Sequence, residues 1–125
     1  MIKLILIIGT GGFFGTVSRF LTTRFLQNHL ASSFPYGTFA VNIIGCFLIG
    51  IIYGISERSN FMNPELRMFL TVGFCGGFTT FSTFANENVA LLKDGNIFYV
   101  ALYVSLSVFI GILATFSGNL FTKIF

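Results

Sequence analysis

Four stretches of this 125-residue chain stay apolar for about as long as a helix needs to cross a bilayer, roughly 20 residues for a hydrocarbon core of roughly 30 Å. They run from Ile2 to Phe25, Gly37 to Ile55, Leu66 to Leu92 and Ile97 to Phe121, and short polar joins separate them. Lipid offers no hydrogen bonds to a backbone, so spans of this kind fold as helices. Only 9% of the residues are charged, against about 25% in a soluble domain, which leaves no solvated surface to cover a globular core. The pattern predicts an all-α membrane protein, residues 1–125 forming one integral membrane domain with the lipid bilayer as its surroundings. The opening run, Lys3 followed by apolar residues and then Gly9, Gly11 and Gly12, reads as the start of the first helix rather than a cleaved leader. Pro35 and Pro64 stand just before the second and third spans, where helices begin.

Several functions are excluded early. A net charge of +3 is spread along the chain with no basic patch, so nucleic acid is not an expected partner. Cys46 and Cys75 lie in apolar runs without a CxxC pair, and the single His29 is distant in sequence, so both read as buried free thiols. No nucleophile–base pair or metal cluster suggests an enzyme.

Glycines spaced four apart, Gly11/Gly15, Gly50/Gly54 and Gly73/Gly77, let membrane helices approach closely. Gly50/Gly54 reads as packing alone. The third span has more to explain. Gly76 and Gly77 are adjacent in mid-membrane and followed by Thr79 and Thr80, a place where a helix either breaks or continues unusually polar. A break would free backbone groups that lipid cannot satisfy, and such backbone persists where it is buried in protein, lines a cavity or binds an ion. Beyond it, Thr80, Thr83 and Glu87 share one helical face, with Thr79, Ser82 and Asn86 beside them and Phe81 and Phe84 on another stripe. The hydroxyls could bond back to carbonyls one turn earlier. Six polar residues in nine positions is nevertheless a density suited to a protein interior or a wet path.

Two ionisable residues fall within or near the apolar zone. Charge in hydrocarbon costs at least about 2.5 kcal/mol, so Arg19 and Glu87 are candidates for a pore mouth or a structural charge, with snorkelling the alternative for Arg19. Asn42, inside the second span, carries an NH₂ that can donate to an anion. Lys3, Arg58, Arg67 and Lys123 fall on one side of the membrane and Arg19, Arg24 and Lys93 on the other. So small a bias does not fix orientation under the positive-inside rule. A chain that inserts both ways could pair with an inverted copy of itself about an in-plane two-fold axis.

Three motifs together resemble the Fluc/CrcB fluoride channels: Gly11-Gly12-Phe13-Phe14-Gly15 with Arg19, Gly37-Thr38-x-x-Val41-Asn42-x-x-Gly45, and Gly76-Gly77-Phe78-Thr79-Thr80-Phe81-Ser82-Thr83-Phe84-x-x-Glu87. They occur in family order, one on each of the first three helices, and the similarity covers essentially the whole chain. One departure is Thr16, where the family often has Ala. The resemblance implies an antiparallel, dual-topology homodimer with a broken third helix, multi-pass in a bacterial inner or plasma membrane. It implies two fluoride pathways and one structural sodium ion held by backbone carbonyls of Gly76 and Thr79 from both subunits. Phe81 and Phe84 would match the aromatic pair flanking each pathway, Ser82 and Thr83 a hydroxyl track, Asn42 the amide facing the anion, and Tyr103 a further pore hydroxyl. The family lets cytoplasmic fluoride leak out passively. A small multidrug-type antiporter is the main rival, but it needs a carboxylate in the first helix, which this span lacks. A structural or assembly subunit would leave the Thr/Ser/Phe stretch unexplained.

Overall fold

A computed structural model describes residues 1–58 and 62–124. The described residues form α1 (Ile2–His29), α2 (Tyr36–Arg58), α3 (Pro64–Met68), a π-helical segment (Phe69–Cys75), α4 (Gly76–Phe78), α5 (Phe81–Lys93) and α6 (Ile97–Phe121). Four stretches are long and apolar enough to cross a membrane: Ile2–His29, Tyr36–Arg58, Pro64–Lys93 and Ile97–Phe121. The third is assembled from α3, the π-helical segment, α4 and α5.

Local chemistry sets the ends. α1 outruns its apolar stretch by four residues, and His29 lies 2.8 Å through Nδ1 from the Phe25 carbonyl, its ring 4.2 Å from that of Phe25. At α3, Asn63 Oδ1 accepts from Leu66 N (2.7 Å) and Pro64 takes the first helical position, where a missing N–H goes unnoticed. Between α5 and α6 the chain turns at Gly95, whose φ of 75° suits a residue without Cβ.

The spans pack as two glycine-mediated pairs. Gly11 and Gly15 lie against the backbone of Phe69, Gly73 and Phe74, while Gly73 and Gly77 face Ile8, Gly11, Gly12 and Thr16, so α1 and the third span run parallel. In the other pair, Gly50 meets Thr115 and Asn119, Gly118 meets Phe47 and Ile51, and Gly54 meets Thr122. Gly50/Gly54 serve the interface between α2 and α6 as packing residues. Lys3 Nζ lies 3.1 Å from Glu65 Oε1, and Arg58 Nη2 donates to Thr122 Oγ1 at 2.6 Å, which ties the spans at their ends.

An aromatic core closes the other half of the bundle. Phe34, Leu91 and Tyr103 are buried together, with Phe39, Phe84 and Tyr99 packed around them. Large apolar side chains such as Phe13, Phe109, Ile112 and Phe116 stay exposed, as suits a surface facing lipid.

Candidate functional site

The backbone of the third span leaves helical geometry for two residues, Thr79 (φ −91°, ψ 159°) and Thr80 (φ −152°, ψ 124°). Within Gly76–Thr79, the stretch where the sequence suggests a break, Gly76–Phe78 remain helical and Thr79 does not. Packing explains Gly77: a methyl there would lie 2.6 Å from the Gly12 carbonyl oxygen, so α1 could not approach.

Two extended residues strand the polar groups of the turns on either side, and side chains from three elements collect them. The Thr79 hydroxyl donates to the Cys75 carbonyl (2.9 Å), which also takes Thr79 N–H (3.0 Å). The Thr80 hydroxyl accepts from Thr83 N (3.3 Å), capping α5, and donates to the Thr83 hydroxyl (3.1 Å). From α1, Arg19 Nε donates to the Gly77 carbonyl (2.9 Å). From α2, Asn42 pairs with both backbone groups of Thr80: Oδ1 accepts its N–H (2.8 Å) and Nδ2 donates to its carbonyl (3.1 Å). In a continuous helix, the amides of Thr80 and Thr83 would point at the carbonyls of Gly76 and Thr79. Here one goes to Asn42 and the other to the Thr80 hydroxyl. Gly76 and Thr79 also line a cleft of about 410 Å³ with Asn42, Thr80, Phe81 and Phe84. Two carbonyls relieved of their helical donors, beside open space, are a donor set suited to a hard cation.

Farther along α5 the polar groups turn inward. Glu87 accepts one hydroxyl on each carboxylate oxygen, from Thr38 (2.8 Å) and Tyr103 (2.8 Å). It also borders a second, more polar cleft of about 420 Å³, edged by Gln27, Ser32, Ser33 and Asp94. Tyr103 is fully buried, and its ring meets that of Phe84 edge-on at 4.8 Å. Phe81 and Phe84 are 5.7 Å apart, with Phe81 78% exposed. Phe84, Tyr103 and Glu87 therefore form a continuous contact from one cleft to the other.

Asn42, Gly76, Thr79, Phe81 and Phe84 meet at the first cleft, Glu87 borders the second, and Tyr103 lies between them. Thr83 joins through Thr80, whereas Ser82 is exposed on the outer side of α5. Arg19 is engaged with backbone at the level of Gly77 rather than extended to a helix end. Two residues at the site have no assigned role in the sequence reading. Thr38 is one turn from Asn42 on α2, and Ser107 is one turn from Tyr103 on α6, its hydroxyl buried and without a hydrogen-bond partner among the described residues. Spacing of i, i+4 from an intramembrane polar residue is the signal that finds both.

Residues 6–119 match the family described as CrcB-like protein, Camphor Resistance (CrcB). The chain is 47% identical over 121 residues to a Flavobacterium psychrophilum protein named fluoride-specific ion channel FluC, covering 97% of this chain and 98% of that one. A protein of the same name from Bacteroides fragilis is 51% identical over 120 residues, 94% of each chain. Another from Chlorobaculum tepidum is 44% identical over 124 residues, 99% of this chain and 98% of that one.

Proposed function

The chain belongs to the CrcB-like family, and from that premise we propose that it is a fluoride-specific ion channel of the bacterial cell membrane, passive rather than enzymatic. The observation that carries this reading is near-full-length similarity to relatives named for that activity. The working unit we propose is an antiparallel homodimer of chains in opposite orientations.

The chemistry of the site is compatible with it. Fluoride is small and strongly hydrated, so a path must replace its water with donors that do not trap it. Hydroxyls of Ser82 and Thr83, one remaining hydrogen on Asn42 Nδ2 and the positive edges of Phe81 and Phe84 offer such donors without a fixed cation, and the Tyr103 hydroxyl, which gives its hydrogen to Glu87, stands beside them. Ser107 adds a hydroxyl to the same track, whereas Thr38 gives its hydrogen to Glu87. Arg19 and Glu87 act as structural charges, one holding the Gly77 carbonyl and the other collecting two hydroxyls.

Gly76 and Thr79 of each subunit would hold a structural sodium ion through their carbonyls. Such an ion would add a positive charge at mid-membrane and join the two subunits. In purified form in liposomes loaded with fluoride, the protein should release fluoride far faster than chloride without an energy source. Liposomes that retain fluoride, or that release both anions equally, would rule the proposal out.

A further inference from the structure

We infer that Asn42 is a positioning residue for the cation site: by clamping the main chain of Thr80 it withholds that residue's N–H from the Gly76 carbonyl. The inference rests on the sodium reading above. The carboxamide exchanges two hydrogen bonds with one residue, accepting from Thr80 N at 2.8 Å and donating to Thr80 O at 3.1 Å, as a neighbouring strand would. Thr80 is correspondingly extended. A backbone amide inside a membrane protein does not stay unpaired, because an unmet donor there is costly. Without Asn42, the acceptor that a continuous helix offers it is the carbonyl one turn earlier, that of Gly76. Rewinding would satisfy Thr80 and consume an oxygen the cation needs.

The approach of α2 is part of the same device. Gly45 is three residues from Asn42, and any side chain there would run into Thr79 Cγ2. A bare backbone at Gly45 thus lets Asn42 reach Thr80. Arg19 grips the turn from the opposite side, but on the Gly77 carbonyl, which is outside the proposed ligand set. The clamp does not exclude contact with an anion, since Nδ2 has two hydrogens and Thr80 takes one.

The test is a sodium titration of the purified protein in detergent, balanced with choline at constant ionic strength and read by thermal unfolding. Sodium should stabilise the wild type with a saturable midpoint. Asn42→Leu should raise that midpoint at least about tenfold, because the amide returns to Gly76. Asn42→Asp retains an acceptor for Thr80 N–H, so its sodium stabilisation should persist even as its negative charge depresses fluoride flux. A role confined to anion conduction would move flux in both variants and the sodium midpoint in neither. If Asn42→Leu keeps a midpoint within about threefold of wild type, the clamp is refuted while the sodium reading stands. Should Asn42→Leu fail to fold, loss of sodium stabilisation in Asn42→Asp refutes it instead. A wild type indifferent to sodium overturns the sodium reading and the clamp with it.

Discussion

Phe84 touches Phe81 on one side and the edge of Tyr103 on the other, so it couples the exposed ring at the first cleft to the buried phenol beside Glu87. Replacing it by Ile keeps apolar bulk and removes the ring quadrupole. Phe84→Ile and Phe81→Ile should each lower fluoride flux in liposomes by about tenfold or more while the purified protein still assembles. Wild-type flux in both would mean that the rings only pack. Tyr103→Phe asks a different question. It removes a donor from a half-buried carboxylate that, among the described residues, accepts one hydroxyl per oxygen, so unfolding in detergent should come earlier by about 1–3 kcal/mol. Equal stability would show that another donor reaches Glu87.

Between elements, the glycines divide into those that touch a neighbour and those that do not. Gly77→Ala and Gly118→Ala each put a methyl against the backbone of a parallel helix and should destabilise by about 1–3 kcal/mol. Gly9 has nothing within 4 Å, and Gly9→Ala should stabilise α1 by about 0.5–1 kcal/mol through helix propensity. Reversible unfolding in mild detergent separates the two classes. The same contrast shows what was legible in the sequence. Four spans could be read from apolar length, because a bilayer sets that length whatever the packing. The place where the third span leaves helical geometry was only approximately legible. The pattern pointed to Gly76–Thr79 as a whole, yet Gly77 serves an approach to α1, and the extended residues are Thr79 and Thr80. The partner of Thr80 there is Asn42, 38 positions away in sequence, which no local pattern reveals. The π-helical winding of Phe69–Cys75 left no signal either, since its residues are ordinary for a membrane helix.

At the scale of the whole molecule, much of the surface of α1 and α6 is apolar and uncovered within one chain, which suits lipid and, on the proposed reading, an inverted copy. Gly76 helps decide between them. A side chain there meets only the Thr71 carbonyl at 3.8 Å, so Gly76→Val should leave the isolated chain folded. If two subunits meet over that turn, the variant should run as a monomer on sizing columns; a dimer of wild-type stability would place the interface elsewhere. Orientation can be tested separately. Two or three lysines added after Arg58 should commit every chain to one orientation and abolish flux when that chain is expressed alone. Undiminished flux would show that opposed insertion is not required. The π-helical segment carries one last consequence, for how the length of this chain can change. Losing a residue from an ordinary span rotates everything beyond the gap by about 100° and carries its lipid-facing side inward. A coil bonded i to i+5 holds one residue more per bonded turn than an α-helix, so it can shed one and tighten with both flanks still in phase. Deletion of the half-exposed Val72 should therefore spare assembly and unfolding temperature, whereas deletion of Val17 from α1 should destroy both.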